Sequence, residues 1–197
     1  MTSQTAERAV DLMVSCGALM KGHFRLTSGL HSDEYCQCSR VLEHPDVAEE
    51  LGGMIADGFR GETVDVVVSP AIGGIVIGHE VARSRGVRSL FAERGEDGAM
   101  ALRRGFRVEP GERVLIVEDV VTTGGSVKEV AEVVSEAGGE IVGFGFIMDR
   151  SRVPLELPAT AKALLAGRKM ETFDPDDCPL CRDGIPVEKP GSRRESG

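Results

Sequence analysis

Arg113 to Ser126 reads RVLIVEDVVTTGGS, and the fold follows from this stretch. Four apolar residues, Val114 to Val117, form a short run suited to a strand buried on both faces. Two adjacent carboxylates, Glu118 and Asp119, follow at once, then a turn of small residues, Thr122-Thr123-Gly124-Gly125-Ser126, and then a helical pattern. Strand, acidic pair, glycine turn and helix in that order is how an open α/β sheet builds a ligand site at the carboxyl end of a strand. The turn's backbone N–H groups and the helix N-terminus suit a phosphate, and threonine and serine hydroxyls add donors without bulk. Carboxylates repel a phosphate, so Glu118 and Asp119 must face another part of the ligand: sugar hydroxyls, or positive charge formed during reaction. No lysine follows the glycines as in a P-loop, and no G-x-G-x-x-G opens the helix as in a dinucleotide fold.

Outward from that stretch the same unit recurs. Val64 to Val68 (VDVVV) predicts a buried strand, Ser69 to Gly74 (SPAIGG) a second strand-to-helix turn, and a helix then runs to about Gly86. Val87 to Ala92 predicts the next strand. After the central turn, Val127, Val130, Ala131, Val134 and Ala137 recur at helical spacing up to Gly138-Gly139. Ile141 to Met148 predicts a strand with Phe144, Phe146 and Met148 on one face, while Gly143 and Gly145 imply a close approach on the other. Several βα units in series give right-handed crossovers and a mostly parallel sheet with helices on both faces.

The flanks are less regular. Thr5 to about Met20 reads as an amphipathic helix, ended by Gly22. GHFRLTSGLHSDEYCQCSRV, from Gly22, predicts an antiparallel hairpin turning at Ser28-Gly29, a hood before the parallel core. Pro45-Asp46 opens another helix through Leu51, Met54 and Ile55. Residues 93–105 (ERGEDGAMALRRG) show no period and read as a mobile loop of lid length. A short helix is expected around Ala159 to Leu165, then a tail over about 170–197 rich in proline, cysteine and charge.

At 197 residues the chain fits one domain, with residues 1–40 as N-terminal helix and hood. The net charge of −9 argues against a general nucleic-acid or anionic-membrane surface. No apolar run reaches membrane-spanning length and no signal-peptide core opens the chain, so a cytoplasmic location is expected. Five cysteines, at 16, 36, 38, 178 and 181, suggest reduced thiols or metal ligands. Cys36-x-Cys38 and Cys178-x-x-Cys181 are closely spaced pairs, the second similar to a zinc knuckle, and together they are the candidate zinc set. His23, His31, His44 and His79 show no metal spacing and are read as structural or exposed.

Apolar strand, Glu-Asp and T-T-G-G-S together resemble the phosphoribosyl diphosphate (PRPP) motif of the type I phosphoribosyltransferases. GHFRLTSGLHS, SPAIGGIVIGHEVAR and FAERGEDGAMALRRGF narrow the resemblance to the orotate phosphoribosyltransferases, over about Gly22 to Arg193. The resemblance implies the type I fold and transfer of phosphoribosyl from PRPP to orotate in de novo pyrimidine (UMP) biosynthesis. It places Glu118 and Asp119 on the ribose hydroxyls, Val120, Val121 and Thr122 beside them, and Thr123, Gly124, Gly125 and Ser126 on the 5′-phosphate. Ala71, Ile72 and Gly73 fall on the diphosphate, and Thr122 and Arg150 on orotate. It also implies Mg²⁺ held through PRPP without direct protein ligands, and a homodimer that exchanges catalytic loops. Many relatives carry lysines and a histidine in that loop and a lysine at the position of Thr27; here the loop offers only Arg94, Arg103 and Arg104, of which Arg94 is the catalytic candidate. A phosphoribosyltransferase for another base, or a PRPP-sensing regulator without chemistry, remains the alternative.

Overall fold

A computed structural model describes residues 2–26, 28–151, 153–167 and 170–190. Thr27 and the last seven residues, including Arg193, lie outside them. The core is a six-stranded sheet in the order β5-β4-β3-β6-β7-β8. Its strands are β3 (Val66–Pro70), β4 (Arg88–Arg94), β5 (Met100–Leu102), β6 (Arg113–Val121), β7 (Glu140–Asp149) and β8 (Ala161–Ala166). All neighbours are parallel except β4 and β5. The strand β3 is buried throughout and β6 from Val114 to Glu118, as expected of strands covered on both faces.

The helices α2 (Pro45–Gly58) and α3 (Gly74–Arg85) share one core with α1 (Ser3–Ser15), built from Met13, Leu51, Ile55, Phe59, Ile77, Leu115 and Val117. The helix α4 (Gly125–Glu136) covers the other face through Val127, Val130 and Val134, against Ile116, Phe144 and Phe146. Met148 joins the first core rather than the two phenylalanines. The glycines of β7 have the expected cause: a Cβ on Gly145 would lie 2.6 Å from Ile55 Cγ2, and one on Gly143 would collide with the Phe59 ring.

A second sheet, β1 (Leu19–Arg25), β2 (His31–Cys36) and β9 (Thr172–Phe173), forms the hood. The predicted hairpin is β1 and β2, with Arg25 opposite His31. The third strand comes from the tail, and Glu188 also bonds to β1, donating its N–H to His23 O at 2.7 Å and accepting from Arg25 N at 2.8 Å. The tail closes with the short helix α5 (Pro179–Arg182).

Three expectations are corrected. The first helix stops at Ser15, where Gly17 takes a left-handed φ of +67°, so Leu19 to Gly22 are strand and not helix. Residues 93–105 are not structureless: Glu93 and Arg94 end β4, the chain turns through Gly95–Gly98, and β5 pairs back with Arg94 opposite Met100. Burial of Met100 in the second core fixes that hairpin. The segment around Ala159 to Leu165 is the edge strand β8, because pairing with β7 and burial of Ala163, Leu164 and Leu165 override the helix preference of alanine and leucine.

Candidate active site

The acidic pair lies within the strand β6, near its carboxyl end and between β3 and β7, not beyond the strand end. Consecutive strand residues alternate faces, yet both carboxyls reach the turn after β3. A Cβ on Gly73 would sit 2.8 Å from Asp119 Oδ1, and one on Gly74 would sit 3.1 Å from Glu118 Oε1 and 3.0 Å from Val117 O. Only glycine lets the two segments approach this closely. The same turn is held to β4 by Ala71 N donating to Ala92 O at 2.7 Å; its Ala71–Ile72 peptide is cis, and Ile72 is exposed.

Asp119 is fixed by Val120 N, which donates to Oδ1 at 2.8 Å, and Asp119 N donates to Glu118 Oε1 at 3.3 Å. Burial raises the Glu118 pKa to about 9, helped by the Asp119 charge and by the hydrogen bond between the two carboxyls. At neutral pH the free pair therefore carries a proton on Glu118 beside the Asp119 carboxylate. Two like charges with one of them desolvated do not both ionise.

The second turn lies at the carboxyl end of the same strand. Glu118, Val120, Val121, Thr122, Thr123, Gly124, Gly125, Ser126 and Val127 line a small cavity of about 60 Å³. Gly124 has φ +78° and, as N-cap of the twelve-residue helix α4 that follows, offers no side chain; Gly125 N–H donates to Thr123 Oγ1 at 3.4 Å. Arg150 follows β7, and its N–H donates to Val121 O at 2.9 Å, which sets it beside the end of β6. Its guanidinium is exposed and has no ion-pair partner among the described residues. Thr122 exposes its side chain next to it in the turn.

The phosphoribosyl transferase domain model matches residues 37–166. The orotate phosphoribosyltransferase of Desulforamulus reducens is 53% identical over 188 residues, covering 95% of this chain and 97% of the relative. The chain belongs to the orotate phosphoribosyltransferase family. Two solved structures share the fold at lower identity. Leishmania donovani UMP synthase aligns with TM-score 0.65 at 22% identity, covering 83% of this chain, which spans only 36% of that longer one. Adenine phosphoribosyltransferase of Thermoanaerobacter pseudethanolicus aligns with TM-score 0.58 at 18% identity, covering 68% of this chain and 88% of that one. The fold alone is therefore shared with a UMP synthase and with an adenine phosphoribosyltransferase.

Not every residue that the family resemblance singled out meets at the acidic pair. Arg94 does not: its guanidinium donates to Gly98 O at 2.7 Å and pairs with Glu129 Oε2 of α4 at 2.8 Å. Arg104, at φ +57°, pairs with Glu93 at 2.9 Å. Arg94 and Arg104 are thus tied to the hairpin and helix of their own chain.

The four-cysteine zinc set is also corrected. Cys36 and Cys38 lie with their sulfurs 3.6 Å apart, and Cys38 feels the charges of Asp119 and Arg150, so this pair lies toward the acidic pair and the end of β7. The hydrogen bond from Cys36, together with burial, pushes the Cys38 thiol pKa up. Cys178 and Cys181 gather instead with His23 and His31, two of the histidines read as structural or exposed. The pairing rule of a hairpin turning at Ser28-Gly29 carried the missing signal: with Arg25 opposite His31, His23 lies diagonal to it on the same sheet.

Proposed function

We propose that the chain transfers the 5-phosphoribosyl group of PRPP to N1 of orotate, giving orotidine 5′-monophosphate and diphosphate in de novo pyrimidine synthesis. The observation that carries this reading is the convergence of two phosphate-suited turns, Ala71–Gly74 and Thr122–Ser126, on one acidic pair, with Arg150 at the next strand end. A ligand with diphosphate at one end and monophosphate at the other fills both turns, and its ribose falls between them at Glu118 and Asp119. Protonated Glu118 donates to a ribose hydroxyl while Asp119 accepts from one. Cleavage of the bond to diphosphate leaves positive charge on the ribose ring, and the fixed Asp119 carboxylate stabilises it. Orotate N1 reacts as an anion, so no strong general base is required.

Mg²⁺ is the proposed cofactor. One carboxylate beside a protonated carboxyl, with no further carboxylate, histidine or cysteine within ligand reach among the described residues, suits a cation that arrives on the diphosphate rather than one held by the protein alone. When bound, the ion neutralises the departing diphosphate. The proposed assembly is a homodimer in which Arg94 and its hairpin serve the partner's site, and the proposed location is the cytoplasm. No helix of the described residues is long and apolar enough to cross a membrane.

Turnover of orotate, adenine and hypoxanthine with PRPP and Mg²⁺ tests the reading. Orotidine 5′-monophosphate forms, and the purines give no nucleotide; purine turnover without orotate turnover rejects it.

A further inference from the structure

We propose that His23, His31, Cys178 and Cys181 bind one structural zinc ion that staples the C-terminal tail to the hood. Four ligand atoms from three separate elements, β1, β2 and the α5 region, lie within 4.8 Å of one another. Cys178 Sγ is 3.6 Å from His23 Nε2, and Cys181 Sγ is 3.8 Å from His23 Nε2 and 3.4 Å from His31 Nδ1. Zinc with Zn–S of about 2.3 Å and Zn–N of about 2.0 Å sets tetrahedral sulfur and nitrogen ligands roughly 3.5 Å apart. The three sulfur–nitrogen separations already match that spacing. The two nitrogens, at 2.9 Å, are hydrogen-bonded to each other and need separate only slightly to admit the ion.

Ring orientation supports the same assignment. His23 Nδ1 lies 2.7 Å from Ile185 O, and a carbonyl can only accept, so Nδ1 carries the proton. The Nε2 lone pair is thereby directed at the two sulfurs. A backbone carbonyl that fixes the tautomer of an imidazole is the usual outer support of a metal-ligating histidine. Two thiolates and two neutral imidazoles also balance a dication, giving a neutral complex where His23, His31 and Cys178 are buried. Binding releases the two thiol protons. Four protein ligands leave no open position, which marks a structural rather than catalytic ion.

The tail needs such a tie. Beyond Leu165, Cys178 is the only buried residue among those described, so the segment brings almost no apolar core of its own. Among its described residues, regular structure is limited to the two-residue β9, one turn of 3-10 helix and the four-residue α5. Segments this poor in core are held by disulfides or metals.

The experiment is metal analysis of the full chain purified without chelator or metal-affinity resin, followed by cobalt(II) exchange. Wild-type protein should carry about one zinc per chain, and the cobalt form should show the absorption of tetrahedral cobalt with thiolate ligands. Cys178→Ser and His31→Asn should lose the ion, and the double variant Cys36→Ser, Cys38→Ser should keep it. In case the ligand variants fail to fold, alkylation of wild type decides: exposed Cys181 should resist reagent until a strong chelator is added. Wild type that carries no zinc and takes up none when it is added overturns the proposal. So does an ion lost on replacing Cys36 and Cys38 but kept in Cys178→Ser, or Cys181 alkylation that chelator does not change.

Discussion

Asp119 N donates to Glu118 Oε1 at 3.3 Å, so the half-buried member of the acidic pair is hydrogen-bonded to a buried, protonated one. Burial, not the turn sequence, decides which carboxyl keeps the proton.

That proton makes stability depend on pH. The folded Glu118 value of about 9 lies above its ordinary 4.5, so the native state holds a proton that the unfolded chain has released across that window. Stability should fall as pH rises from about 4.5 to 9, by at most about 1.4 kcal/mol per pH unit from this group. Glu118→Gln should flatten the dependence and melt higher than wild type at pH 8. Thermal unfolding of both proteins between pH 5 and 8 checks it. Parallel curves would mean that Glu118 is ionised in the free enzyme.

Asp119 should carry the catalytic charge. Asp119→Asn removes it with little change in shape and should lower kcat by roughly 10²-fold. Gly73→Ala tests the same group from the other side, because the new methyl meets Asp119 Oδ1 at 2.8 Å while Val120 N holds that oxygen. Steady-state kinetics and melting together should show a larger loss in kcat than in stability. An Asp119→Asn enzyme with wild-type kcat would make the acid pair structural.

The βα repeats, the two strand-to-helix turns and the hood hairpin were legible because each rests on local pattern: apolar runs, small-residue turns and alternation. What escaped depends on distant pairing. Ala161–Ala166 has helix-favouring residues and becomes a strand only because the β7 edge is open to it. Met100 looks like a loop residue until the second core supplies its burial. His23 and His31 lack metal spacing along the chain; a tail more than 140 residues later, bonded to His31 through Cys181 with a separation of 150, gives them thiol partners. The proton on Glu118 was hidden for the same reason, since its burial comes from neighbouring strands and the Gly74 contact.

The loop should act in trans. Arg94 is held by Glu129 and Gly98 O of its own chain, a solvent-screened pair that adds little to stability and can be exchanged for a substrate phosphate. Arg94→Ala and Asp119→Asn subunits should each be nearly inactive. Mixed after dissociation, they should regain up to about a quarter of wild-type activity, the share of sites with both residues intact in a random dimer. Hybrids no more active than the parents would place the loop over its own subunit.

Arg150 should select the base. Orotate differs from uracil by a carboxylate, and Arg150 stands past the end of β7 with its N–H on Val121 O, one residue from Thr122 of the phosphate turn. Its guanidinium has no ion-pair partner among the described residues, so it is available to a ligand, and its planar fork matches a carboxylate with two hydrogen bonds. A charge-assisted contact of this kind contributes about 1.5–3 kcal/mol, so Arg150→Ala should weaken orotate by roughly 10- to 100-fold. PRPP should bind as before, because its anchors are the two turns and the acidic pair. Arg150→Lys should restore only part of the loss, as a point charge cannot reproduce the fork. Equilibrium binding of each substrate to the three proteins measures this. Equal weakening of PRPP and orotate in Arg150→Ala would make Arg150 a phosphate ligand or a structural residue, and would move the base pocket away from the end of β7.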